Sequence, residues 1–131
     1  MLKKTITWED YNGVERKEDF YFNLSKAEIM KMQFSYANGL SEALQKMIDT
    51  KNTVELAKMF EELILKAYGE KSDDGRRFIK SKELSTAFSQ TEAFSILYME
   101  LAMDDKAAAA FVNGIIPSDV AKELAKQQEI S

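Results

Sequence analysis

The chain has 131 residues, of which 45% are hydrophobic and 31% are charged, so it is long enough to bury one core and too apolar to remain disordered. Its 18 basic and 22 acidic residues give a net charge of −4. The basic residues form no concentrated stripe, which argues against nucleic-acid binding.

The first predicted element is a β-hairpin around Asn12-Gly13, because residues 3–11 and 14–24 are rich in β-branched and aromatic side chains. A two-residue turn would divide these apolar residues between both faces of the hairpin. A three-residue loop with Gly13 left-handed in a bulge pairs Asp10 with Val14 and collects them on one face, so this register is predicted. The inner face then carries Leu2, Ile6, Trp8, Val14, Phe20 and Phe22.

The opposite face of the hairpin is polar and is predicted to be open to solvent or to a partner. A two-stranded ribbon is only marginally stable alone, so its inner face must lie on helices or on another chain. Trp8 and Tyr21 are both candidate aromatic anchors for a partner, although the register turns Trp8 inward. The candidate interface residues on the outer face are Thr5, Thr7, Lys17 and Tyr21.

Helices are predicted from Ser25 onward, where Ser25 and Glu28 form a capping box. This helix should end near residues 37–39, and a second should cover residues 41–48. A third helix is predicted over residues 53–68, with Gly69 as its C-cap.

Residues 70–80 form a charged connector around the turn Asp73-Asp74-Gly75, and we expect a mobile loop here. A mobile charged loop is a candidate contact for a partner. Its candidate interface residues are Asp73, Asp74, Arg76 and Arg77.

Ser81 and Asp104 are predicted to cap helices, and the segment Ser89-Gln90-Thr91-Glu92 is predicted either to restart or to bend the helix that begins at Ser81. The segment 92–103 is apolar on more than one side, which is typical of a helix buried centrally in the core. The last helix should close at Asn113-Gly114, before Pro117.

These elements predict an α+β fold that is mostly α, with an N-terminal β-hairpin packed on a bundle of about five to six helices. We expect residues 1–131 to form a single domain. Residues 1–24 are its hairpin, residues 25–117 its helical core, and residues 118–131 a weakly anchored C-terminal tail.

Catalysis is not expected, because the chain contains neither His nor Cys. The commonest general base, the soft metal ligands and the usual nucleophile schemes are therefore missing. The adjacent acidic pairs are better explained as a solvated face, a turn and a helix cap than as catalytic carboxylates. We predict no enzyme activity, no cofactor, no metal and no small-molecule substrate.

Two further patterns concern partners and location. Methionines could supply an adaptable binding groove, but ordinary core filling is the favoured explanation. No apolar run reaches the roughly 18–20 residues that span a bilayer, and no signal-peptide pattern is present, so the cytoplasm is expected. The methionines considered are Met30, Met32, Met47, Met59, Met99 and Met103.

Five segments of the chain resemble a group of small proteins from tailed phages and prophages of Gram-positive bacteria, most closely tail assembly chaperones. The likeness covers nearly the whole chain. The segments that carry it are Asp10 to Arg16, Phe20 to Glu28, Tyr68 to Ser81, Phe88 to Ala93 and Phe111 to Pro117.

The resemblance implies a protein of the host bacterial cytoplasm that coats the tape-measure protein before tail-tube subunits polymerise around it. It also implies self-association and contact with the tail-tube protein, and it supplies no catalytic residues. Two alternative hypotheses remain: a phage structural protein such as a head-tail completion protein, and a phage protein that binds a host defence protein.

Overall fold

The computed structural model describes residues 1–34 and 53–117, which contain a four-stranded antiparallel sheet and five helices. The α+β class and the N-terminal hairpin are confirmed. The predicted end of the first helix near residues 37–39, the helix predicted over residues 41–48 and the tail 118–131 lie outside the described residues. The elements are β1 (Leu2–Glu9), β2 (Glu15–Phe22), α1 (Lys26–Phe34), α2 (Thr53–Ala67), β3 (Tyr68–Lys71), β4 (Phe78–Ile79), α3 (Lys82–Ser89), α4 (Glu92–Met103) and α5 (Asp105–Ile115).

The first hairpin has the predicted bulged register. The Asp10 N–H donates to the Val14 carbonyl at 2.8 Å, the Gly13 N–H donates to the Asp10 carbonyl at 2.9 Å, and Gly13 has a φ of 77°. Val14 is 53% exposed, so its predicted inward position is wrong, because it lies at the turn beyond the packed part of the ribbon. The buried residues of the inner face are Ile6, Trp8, Phe20 and Phe22, and Leu2 is partly buried beside them.

A second hairpin, formed by β3 and β4, replaces the helix end and the irregular connector expected at residues 68–80. The sheet order is β1-β2-β3-β4, with Tyr21 opposite Gly69 and Phe22 opposite Tyr68. Gly69 is therefore a strand residue and not a helix C-cap. A Cβ at Gly69 would lie 2.7 Å from both the Ile79 carbonyl oxygen and the Phe78 ring, so the close approach of β4 requires glycine there.

The core joins the inner face of the sheet to all five helices, and aromatic rings occupy its centre. Phe22 is fully buried, with ring centroids 5.3 Å from Phe111 and 5.8 Å from Phe88. Tyr68 stacks on Phe88 at 4.3 Å. The helices contribute Ile29, Met32, Leu63, Ile64, Ala67, Phe88, Ala93, Leu97, Leu101, Ala108, Phe111 and Ile115 to the buried cluster.

The predicted helix starts are confirmed by their capping hydrogen bonds. The side chains of Ser81, Thr91 and Asp104 each accept backbone N–H groups at the first turns of α3, α4 and α5. The predicted closure of the last helix at Asn113-Gly114 is one residue early, because α5 continues to Ile115. The additional residue, Ile115, is fully buried in the core, and this burial stabilises the longer helix.

The start of α1 is fixed to the second hairpin by Glu28. Its carboxylate accepts the Ser25 N–H at 3.0 Å, and its other oxygen accepts a hydrogen bond from Lys80 Nζ at 2.6 Å. Lys80 Nζ also donates to the Asn23 carbonyl at 2.6 Å. Burial raises the pKa of Glu28, but the Lys80 ammonium and the Ser25 N–H outweigh it, so the pKa of this carboxyl lies below its ordinary value.

Gly69→Ala should lower the free energy of unfolding by about 2 kcal/mol, because the new methyl group overlaps the backbone of β4. Gly114→Ala is the matched control. There the methyl group meets only the Leu2 side chain, at 3.0 Å, and alanine favours the helix, so the change should stay within about 0.5 kcal/mol of wild type. Urea denaturation measures both, and equal losses would contradict the strand assignment of Gly69.

Glu28→Gln should lower the free energy of unfolding by about 1 kcal/mol at neutral pH, because it weakens the bond to Lys80. Folding lowers the pKa of Glu28, so its stabilisation is complete above the ordinary value of 4.5 and is lost as the pH falls through the folded-state pKa. Denaturation curves at several pH values should therefore converge for wild type and variant in acid. A difference that is independent of pH would contradict the role of the charge.

Candidate protein-binding surface

The candidate interface residues of the first hairpin share the outer face of the sheet. Thr7 lies opposite Lys17, and the Thr5 hydroxyl donates to Asp19 Oδ1 at 2.6 Å. Tyr21 is half-buried and lies between Lys3 of β1 and Gly69 of β3. Thr5, Thr7 and Lys17 are exposed. The outer face is therefore polar, and Tyr21 is its aromatic member.

The remaining candidates, Asp73, Asp74, Arg76 and Arg77, lie in the β3–β4 turn and are exposed. Asp74 accepts hydrogen bonds from the Ser72 hydroxyl at 2.7 Å and from the Arg76 N–H at 3.0 Å. These bonds, that from Ser72 first, lower the pKa of the Asp74 carboxyl. The eight candidates thus form two groups on separate strand pairs. The hydrogen bonds of Asp74 stabilise the β3–β4 turn.

An exposed apolar surface lies on α4; it contains Met99 and Met103, which the sequence offered as groove methionines, and Ile96, which it did not single out. This helix buries Ala93, Leu97 and Leu101, but one side faces solvent, so the prediction that it is buried on more than one side is wrong. The exposed residues follow a spacing of three and four, which places them in one row along the helix. We call this row the α4 stripe; its residues and exposed fractions are Ile96 (41%), Met99 (53%) and Met103 (78%).

Two polar contacts beside the α4 stripe join the helix to the first hairpin. Lys4 Nζ of β1 is 3.2 Å from Glu100 Oε1, and the Tyr11 hydroxyl donates to Glu92 Oε1 at 3.2 Å. Both acidic residues border the stripe, and α4 contains no Lys or Arg. The exposed surface is consequently an apolar row with acidic flanks.

A shallow polar cleft lies between the tip of the first hairpin and the α3–α4 corner. Asp10 in this cleft accepts hydrogen bonds from Arg16 Nε at 2.6 Å and from the N–H groups of Asn12 and Val14. The bond from Arg16 and the backbone bonds lower the pKa of the Asp10 carboxyl. All of these bonds stabilise the hairpin turn. They account for the position and the lowered pKa of the Asp10 carboxylate without a bound ligand.

The methionines divide between core and surface. Met32 and Met59 are buried, as the core interpretation predicted, whereas Met30, Met99 and Met103 are more than half exposed. Of these five methionines only Met99 and Met103 lie together on one helix face, and Met47 lies outside the described residues. The signal for the α4 stripe was therefore present in the sequence as two methionines four residues apart, but the sequence does not tell which side of α4 the sheet covers.

Within residues 1–34 and 53–117, no group of three or more Asp and Glu residues is placed to hold a metal ion. No helix in the same ranges is long and apolar enough to cross a membrane.

A small α+β fold with an exposed apolar helix face is an architecture suited to binding other proteins. The family model described as phage tail assembly chaperone matches residues 1–131, and the chain belongs to this family. Membership indicates protein partners in tail assembly and suggests a non-catalytic protein. No curated protein and no solved structure matches the chain.

Leu97→Ala should lower the free energy of unfolding by about 3 kcal/mol, because it leaves a cavity in the core. Met99→Ala, two residues along the same helix, should change it by less than about 0.5 kcal/mol, since this side chain is half in solvent. Thermal or urea denaturation of the two variants compares the two sides of α4. A large loss from Met99→Ala would show that the stripe is not a free surface.

Proposed function

We propose that the protein binds the tape-measure protein and the tail-tube protein of its phage during tail assembly, through reversible contacts in the host bacterial cytoplasm. Family membership supports the general role. The observation that carries the finer proposal is the α4 stripe, which exposes Ile96, Met99 and Met103 in one row.

The chemistry of the stripe fits a helical client. An amphipathic helix presents apolar side chains at the same three-and-four spacing, so two such rows can pack lengthwise. Methionine side chains are unbranched and flexible, which lets one surface accept a succession of different apolar partners along a long helix. Contacts of this kind need no fixed shape, and they can be released when another protein takes the client.

The charges beside the stripe specify the client further. Glu92 and Glu100 border the apolar row; Glu100 pairs with Lys4 of β1, whereas Glu92, among the described residues, accepts a hydrogen bond only from the neutral Tyr11 hydroxyl and keeps its charge. A client helix with Lys or Arg beside its apolar face would complement the carboxylate of Glu92. We propose that segments of this kind in the tape-measure protein are bound first.

The polar outer face of the sheet and the β3–β4 turn are proposed as secondary contacts for the tail-tube protein. Thr5, Thr7, Lys17 and Tyr21 belong to the outer face, and the turn holds both acidic and basic side chains. Hydrogen bonds and charge pairs of this kind set orientation more than affinity. Self-association of the chain completes the proposal.

Met99→Glu should reduce binding of the tape-measure protein at least about tenfold, because it sets a charge in the middle of the apolar contact. Met30→Glu is the matched control, since Met30 is 59% exposed on α1, away from the stripe. The measurement is co-purification from cells that express both proteins, followed by titration of the purified pair. Equal binding by both variants would exclude the stripe as the client surface.

The wild-type experiment decides the function itself. Co-purification with the tape-measure or tail-tube protein supports the chaperone proposal, and failure to bind either protein, alone or together, overturns it. Mass spectrometry of purified virions gives a second test, because a structural head-tail protein stays in the particle whereas an assembly chaperone does not.

A further inference from the structure

The outer edge of β1 is the longest strand edge without a partner in the described part of the chain. Within residues 1–34 and 53–117, β1 pairs only with β2 and ends the sheet on this side. The strand is eight residues long, which is long for an unprotected edge. An edge of this kind presents a row of backbone donors and acceptors to another strand.

The hairpin register tells which residues present those groups. Asp10 and Val14 form a hydrogen-bonded pair at the turn, and bonded and non-bonded pairs alternate along an antiparallel ladder. Every second residue of β1 before Asp10 therefore bonds to β2, and the residues between them direct their N–H and C=O groups away from it. The outward-directed residues are Lys3, Thr5, Thr7 and Glu9.

The side chains of these four residues are complementary to those of a second β1 strand that runs antiparallel to the first. If a second β1 runs antiparallel and its Ile6 lies opposite Ile6, then Lys3 lies opposite Glu9 and Thr5 lies opposite Thr7. Both ends of the pairing then hold opposite charges, and the middle holds two threonine pairs, which favour strands. A shift of two residues in either direction breaks both charge pairs.

A like-charge contact within one chain adds to this complementarity. Glu9 lies directly opposite Glu15 on the outer face, and equal charges in this arrangement repel each other. A Lys3 from a second copy would stand on the other side of Glu9 and offset the repulsion. On the inner face, Lys4 pairs with Glu100. The charge of Lys4 is therefore already compensated when a second strand approaches.

From these observations we propose that two copies of the chain associate through antiparallel pairing of their β1 strands, centred on Ile6, to form one continuous sheet. The proposal names the surface for the self-association given under the proposed function and rests on it. The two-fold axis is perpendicular to the sheet, so the helices of both copies lie on one face. Two α4 stripes then lie on the same side of the dimer, which extends the surface for a helical client.

The test measures molar mass by light scattering and sedimentation over a wide range of protein concentrations. Wild type should approach twice the 15.0 kDa of one chain. Lys3→Glu and Glu9→Lys should each raise the dissociation constant of the dimer about tenfold or more, because each change turns two attractive contacts into repulsive ones. The double variant Lys3→Glu/Glu9→Lys should restore dimerisation, because it exchanges the charges.

Two controls separate association from folding. Thr7→Pro removes an outward N–H without breaking a bond to β2 and should give a monomer, whereas Thr7→Ala keeps the N–H and should remain dimeric. Glu9→Lys relieves the contact with Glu15, so at a protein concentration low enough for both proteins to be monomeric this variant should be at least as resistant to urea as wild type. If Thr7→Pro unfolds, the charge-exchange series alone decides.

The outcomes distinguish the β1 interface from self-association in general. A wild-type chain that stays monomeric at all concentrations overturns both self-association and the β1 interface. A dimer or larger oligomer that ignores the charge reversals, or that the double variant fails to restore, overturns only the β1 interface. Client binding is measured separately, so either result leaves the test of the tape-measure contact unchanged.

Discussion

The architecture of this protein depends on the packing and the backbone pairing of Phe22. Its fully buried ring touches Tyr68 of the second hairpin, Phe88 of α3 and Phe111 of α5, so three distant parts of the chain meet at one side chain. The same residue pairs through its backbone with Leu2 on one side and Tyr68 on the other. A single strand position thereby fixes both the sheet and the seating of the helices, because its ring and its backbone act in perpendicular directions.

Two of the surfaces that lack a partner in the described residues are the outer edge of β1 and the α4 stripe. The inner face of β1 is covered by helices, but its outer edge is not paired, and the α4 stripe remains in solvent. Both are unfavourable for an isolated chain, since free strand edges and apolar patches promote association. For a member of a tail assembly chaperone family, association with other proteins is the function, so such surfaces fit its role.

The proposed surfaces differ in their chemistry, and each therefore suits a different kind of partner. Backbone pairing at the β1 edge is directional and register-specific, which suits a partner of fixed sequence such as a second copy. The α4 stripe has flexible methionines and few constraints on register, which suits a client whose sequence changes along its length. The polar groups proposed as secondary contacts, on the outer face and in the β3–β4 turn, would set the orientation of a partner without adding strong affinity.

The sequence by itself determined the features that depend on neighbouring residues: the bulge at Gly13, the register that buries Trp8, and the helix starts at Ser25, Ser81 and Asp104. Each of these follows from a short pattern with its own hydrogen bonds. Tertiary structure alone decided the second hairpin, because Tyr68-Gly69 after a helix looks locally like a C-cap until β2 and β4 are beside it. It also decided the α4 stripe, because α4 is apolar on two sides and only the position of the sheet selects the buried one. The candidate residues Tyr21 and Asp74 could be placed on a face and in a turn from sequence, whereas Ile96, Met99 and Met103 could be recognised as a surface only after the core had formed.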